Sequence, residues 1–369
     1  MMRHQSYKKY IILGGALFLL ASLPAFFVEK FRGGTIGAAS WVFRGASKLL
    51  EAKSYEKERL EGENHLLRIE VGKLRALLEQ REKIASLHQE LKVPGLSPRR
   101  CEEIEYLTGI ICLSVPARVI YRDPGSPSST LWVNVGEETN RVLGRKAVQK
   151  NSPVILGRCV VGAVDYVGKK QSRIRLISDV ALTPSVRAVR GYQQNMFLAE
   201  SIEGILRHLS ARNDGVISNQ EKMRMKTVWE AVKEKISADS SSWYLAKGVL
   251  QGAATPLGRS VNHTLRGVGF NYDFPDVEGP ARELATGKVM DGQSAIPAIP
   301  IILESDILVT TGMDGVFPPG LRVAEVTKIF PLREGAYTYE IEAVPVVGNL
   351  DTLQTVFIIP PVGYSTEES

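Results

Sequence analysis

At 369 residues the chain has room for two or more domains beside any membrane segment, and its 44% hydrophobic content is that of a protein with a real core. The net charge of +6 is unevenly placed: Arg3, Lys8 and Lys9 precede residue 10 without an acid, residues 29–93 hold 13 bases and 10 acids, and residues 94–369 are balanced. A neutral main body has no electrostatic footprint for nucleic acid, so the basic excess points to charge near a membrane.

Residues 1–9 form a short basic N-terminus, followed at 10–28 by YIILGGALFLLASLPAFFV, an uncharged run. That is about the length needed to cross the hydrocarbon core of a bilayer. Small residues are poorly placed for signal cleavage, which favours an uncleaved transmembrane helix over a signal peptide. The basic flank keeps the N-terminus cytoplasmic and puts everything after residue 28 on the far side.

Residues 36–93 read as one long helix, uninterrupted by proline until Pro94. Leu60, Leu67 and Leu74 repeat at seven, and Asn64, Val71 and Leu78 fill the complementary positions. A second series, Leu77, Ile84 and Leu91 with Leu87 between, implies a register shift. A narrow apolar stripe on so long a helix needs a partner, and coiled-coil self-association competes here with packing along the chain's own domain. Pro94, Gly95 and Pro98 end this helix, and residues 99–109 (RRCEEIEYLTG) read as a linker.

From Val115 onward short strands separated by glycine turns dominate, without a βαβ rhythm, as in a small barrel or sandwich. Strand candidates fall at 115–121, 130–135, 153–156, 160–167, 172–178 and 183–189. Residues 192–242 form a helical insertion, with helices expected at 195–209 and 220–236. Strands resume at 243–249, residues 252–292 have no clear pattern, and a closing β-rich lobe at 296–360 begins with a strand at 296–303 and ends in strands at 337–345 and 355–359. A polar tail, 361–369, follows.

The most distinctive stretch is 307–326, ILVTTGMDGVFPPGLRVAEV. It reads as a β-hairpin in which Gly312, Gly315 and Gly320 permit bends, Pro318 punctuates the second turn and Phe317 plugs a core. Asp314, like Asp306, reads as an isolated acid capping a loop.

Cys101, Cys112 and Cys159 fit no zinc or redox spacing; Cys101 and Cys112 are candidates for a disulfide only in an oxidising compartment. The five histidines lie too far apart in sequence for HExxH or HxH, and no GxSxG, SxxK or phosphate-cradling loop is present. No catalytic, cofactor-binding or metal-binding residue can be nominated. The expected class is a non-enzymatic protein without a cofactor.

Three segments carry a family resemblance: ARVIYRD at 117–123 with WVNVG at 132–136; VGAV at 161–164 with Ser178, Asp179 and SVRAVR at 185–190; and the 306–326 stretch, with 344–345 and 350–358 fitting the closing strands. In this order, after an anchor and a helix, they resemble the rod shape-determining MreC family, a scaffold of bacterial cell-wall elongation. Departures are Ser305 before Asp306, Ala324 in place of a glycine, and the helical insertion. The resemblance implies a mainly β protein: a transmembrane helix and coiled-coil helix, then two small β-barrel-like lobes (115–191 with part of 243–345) carrying a helical insertion. It implies an inner-membrane, single-pass protein with a periplasmic body, self-associating as a homodimer, with filament assembly left open. Its implied partners are the lipid bilayer, the elongation transpeptidase (a penicillin-binding protein), MreD and MreB. A periplasmic adaptor of an efflux or secretion system and an envelope hydrolase are the alternative functions.

Overall fold

A computed structural model describes residues 98–123, 127–212, 217–237, 242–253, 264–290 and 296–361 without a break, together with scattered positions between 67 and 91. The expected membrane segment at 10–28, Leu60, Asn64 and the tail after residue 361 lie outside the described residues. Among the described residues no helix is long and apolar enough to cross a membrane.

The strands are β1 (Val115–Arg122), β2 (Thr130–Val133), β3 (Pro153–Leu156), β4 (Cys159–Val167), β5 (Ser172–Leu176), β6 (Ser185–Gly191), β7 (Ser242–Gly252), β8 (Leu265–Asn271), β9 (Ile307–Thr310), β10 (Arg322–Ile329), β11 (Tyr339–Pro345) and β12 (Thr355–Ile358). Their pairings close twice. One ring of six runs β1-β12-β3-β4-β5-β2 and returns to β1. The other runs β6-β7-β8-β11-β10-β9 and returns to β6. Closure leaves no sheet edge exposed in either barrel. A single parallel contact, Arg322 opposite Cys159, joins β10 of the second barrel to β4 of the first.

The period-two pattern accounts for the inner faces. In β5, Ile174 and Leu176 are fully buried while Arg173 and Arg175 between them reach Asp165 of β4. One contiguous apolar cluster runs through both barrels, from Ile155 and Ile174 to Phe270, Phe317 and Ile341.

Residues 99–109 are not a linker. They lie in α1 (Pro98–Cys112), whose Ile104, Leu107 and Ile111 are buried at helical spacing. Pro98 begins this helix rather than stopping one, because at the first helical position its missing N–H removes no bond. Leu87 is fully buried in the same cluster, and Leu77, Ile84 and Leu91 pack against it. The second apolar series therefore lies along the chain's own core. Cys101 and Cys112 both lie on α1, eleven residues apart and so about 16 Å along the axis, beyond disulfide reach.

Two further differences concern the second barrel. Residues 296–303 form no strand: Pro297 and Pro300 lack the N–H a ladder needs, although the Ile301 carbonyl still accepts the Ala246 N–H at 3.0 Å. β8 occupies part of the region without a clear pattern. Its Gly267 and Gly269 interrupt the alternation, and a Cβ at Gly267 would sit 2.4 Å from Ile341 Cγ1. A short helix α2 (Glu137–Leu143) joins β2 to β3, and the helical hairpin α3 (Tyr192–Ala211) and α4 (Asn219–Ser237) is inserted between β6 and β7.

Candidate functional site

The 307–326 stretch is the β9–β10 hairpin, and its turn is held by side chains rather than by apolar contacts alone. Asp314 Oδ1 accepts the backbone N–H groups of Val316 and Phe317 at 2.8 and 2.9 Å, and its Oδ2 accepts the Ser185 N–H at 2.9 Å. Thr310 donates its hydroxyl to the Pro318 carbonyl and accepts the Leu321 N–H at 2.9 Å. Thr311 donates to Ser185 Oγ at 2.8 Å. Gly312, Gly315 and Gly320 have φ of 82°, 68° and 86°, the left-handed region that side chains disfavour. Asp314 thus ties the turn to the start of β6, Phe317 points into the core at 1% exposure, and Met313 projects outward at 72% exposure.

Behind the turn lies a buried polar cluster that sequence reading missed. Arg187, on β6, is 5% exposed. Its guanidinium lies over the rings of Tyr244 and Tyr272 at 5.6 and 5.3 Å, donates to the Leu245 carbonyl at 3.0 Å, and pairs with Asp276 at 2.8 Å. Lys247 reaches the same carboxylate at 2.7 Å. A cavity of about 70 Å³ opens between this cluster, Glu103 of α1, Met313 and Pro319. The other acid of the stretch, Asp306, is not an isolated loop cap. It is buried and takes a two-bond fork from Arg190, 2.7 Å on each arm, as well as the Leu303 N–H. Arg322 is buried under Phe197 and pairs with Glu200 of α3 at 2.7 Å, which pins the helical hairpin to the second barrel.

Burial acts to raise the Asp276 pKa, but the Lys247 hydrogen bond, the Arg187 charge, the Glu278 N–H and the Lys247 charge together outweigh it and hold the carboxyl below its ordinary value. The folded pKa lies below the unfolded one of about 3.9, so the contribution to stability is present above about pH 4 and is lost as pH falls through the folded value. Asp276→Asn is therefore expected to destabilise the protein more at pH 7 than at pH 3. Urea midpoints of both proteins at the two pH values check this, and an equal gap would refute it.

Of the expected self-association positions, Leu67, Val71, Leu74 and Leu78 are helical and exposed, at 55%, 43%, 54% and 59%. Leu74 and Leu78 do not line the cavity behind the hairpin.

A family model described as "Rod shape-determining protein MreC, barrel core" matches residues 119–240 and 279–360. No curated protein matches the sequence. Among solved structures, MreC from Pseudomonas aeruginosa is 16% identical with a TM-score of 0.37, the match covering 66% of this chain and 97% of that one. MreC from Listeria monocytogenes is 15% identical with a TM-score of 0.39, covering 86% and 100%. A complex between Penicillin-Binding Protein (PBP2) and MreC from Helicobacter pylori gives 11% identity and a TM-score of 0.33, covering 68% and 98%.

Proposed function

Because the chain belongs to the rod shape-determining MreC family, we propose that it is a non-enzymatic, membrane-anchored scaffold of cell-wall elongation that binds a penicillin-binding protein. The observation that carries this is the family match itself, which runs through strands of both barrels and takes in the β9–β10 hairpin. The Helicobacter pylori protein named above was solved with PBP2, and the same class of partner is proposed here.

The finer parts of the reading rest on the sequence. The 10–28 run anchors the protein with its N-terminus in the cytoplasm and both barrels in the periplasm. Leu60, Asn64, Leu67, Val71, Leu74 and Leu78 form the seam of a homodimer. MreD and MreB complete the connection to membrane and cytoskeleton. The site chemistry is compatible with this role: Asp314, Thr310, Arg187 and Asp276 are engaged in holding backbone and one another, and the hairpin presents Met313 to solvent.

Affinity purification of the full chain from its native membranes is expected to recover a penicillin-binding transpeptidase. Repeated purification that yields no peptidoglycan-synthesis enzyme would remove the reading, and recovery of an inner-membrane pump in its place would favour a periplasmic adaptor.

A further inference from the structure

The second barrel carries a separate cavity of about 490 Å³ on the outward side of the β8–β11 pair, away from the hairpin. That volume lies within the range of small-ligand sites, about 300–1,000 Å³. Its apolar lining comes from Phe330, Pro331 and two alanines, and its polar lining from two arginines, two glutamates and two threonines. Arg266 and Glu340 are spent on each other at 2.7 Å, and the Arg266 hydrogen bond and charge hold the Glu340 carboxyl below its ordinary pKa. The Arg333 charge adds a smaller lowering contribution at Glu340, but its donors stay open. The side chains of Arg333 and Glu342 make no hydrogen bond or ion pair among the described residues, and each faces the same cavity. One cation and one anion, neither with a hydrogen-bonded partner among the described residues, thus flank an apolar floor.

A ligand of one sign would satisfy one pole and leave the other facing a like charge. We propose that this cavity binds a short peptide carrying both an ammonium and a carboxylate, with the carboxylate on Arg333, the ammonium on Glu342 and small side chains over Phe330 and Pro331. Arginine suits the carboxylate end because its planar fork matches carboxylate geometry. The inference does not depend on the scaffold reading: its geometry stands without it.

The test uses the full chain in detergent micelles and trialanine, which has one charge of each sign, in ligand-observed NMR titrations. Acetyl-trialanine, trialanine amide and acetyl-trialanine amide remove the ammonium, the carboxylate or both. Trialanine is expected to bind saturably and the doubly blocked peptide at least about tenfold more weakly, since each lost charge-assisted hydrogen bond is of that order. Arg333→Gln should weaken acetyl-trialanine while sparing trialanine amide, and Glu342→Gln should do the reverse. Arg333 is exposed and Glu342 half-buried on a barrel's outer face, so both variants should melt near the parent temperature. No saturable binding of trialanine, equal binding of the blocked peptide, or parental affinities in both variants would overturn the proposal. Recovery of a transpeptidase alongside any of these results would leave the scaffold reading standing, whereas peptide binding without such recovery would remove the scaffold reading alone.

Discussion

Phe317→Ala is expected to lower the stability of the folded protein by about 3–5 kcal/mol, the usual range for truncating a fully buried phenylalanine. The size of that loss depends on whether the neighbours can close the gap. Here they are restrained on every side. The Phe317 N–H is held by Asp314, the Pro318 carbonyl by Thr310, and the turn as a whole by Ser185 of the next strand in the barrel. Two consecutive prolines, Pro318 and Pro319, fix the backbone that follows. Such a turn cannot sink into the space the ring leaves, so the upper half of the range is expected. Domains of this kind have about 5–15 kcal/mol in all, and the variant should unfold at a markedly lower urea concentration. A loss below about 1 kcal/mol would show that the turn collapses after all.

On the proposed homodimer seam, Leu67→Asp combined with Leu74→Asp is expected to leave the protein monomeric. Both side chains are more than half exposed in the single chain, so a carboxylate at either position displaces no core packing. On a self-associating seam the same two charges would each be desolvated without a partner, at several kcal/mol per site. The double variant should therefore keep the parent's thermal transition at low concentration and lose its self-association. Sedimentation of the full chain in detergent reads this directly. An unchanged mass would remove the proposed seam, leaving the stripe to pack within one chain or contacts between the barrels to suffice.

How far the sequence disclosed this fold depended on how local the determining contacts were. β3 was legible to the residue because Pro153–Leu156 is a short apolar run between turns. The helical insertion was legible because its apolar spacing is 3.6. α1 was not, because its buried face is only Ile104, Leu107 and Ile111 among charged residues, and its leading proline looks like a stop signal. The 296–303 segment has strand-like composition, but its prolines cannot join a ladder. At the hairpin, the bends at Gly312, Gly315 and Gly320 were readable from glycine alone. The buried cluster behind it was not. Arg187 sits in a strand whose middle residues are all buried, and its partners Tyr244, Tyr272 and Asp276 come from distant parts of the chain. A charged residue in an apolar strand was the available signal, and it does not name its partner.

β12 comes from the last described residues, yet it is a wall of the first barrel, with Val115 opposite Ile358 and Phe357 opposite Ile155. The second barrel, by contrast, is made wholly from residues between 185 and 345. The first barrel's sequence therefore encloses the second's like a bracket. During synthesis β6 to β11 can all pair before β12 exists, while β1 and β3 must wait with unpaired edges for a strand more than two hundred residues away. Completing the first barrel is then the late, slow event, because its closing contact spans the longest loop and is opposed by the largest closure entropy. Docking of the finished second barrel against β4 shortens that effective loop and brings β12 to its place. Arrest of translation just before residue 355 would leave the second barrel whole and the first open on two strands, the state most exposed to pairing with the wrong chain.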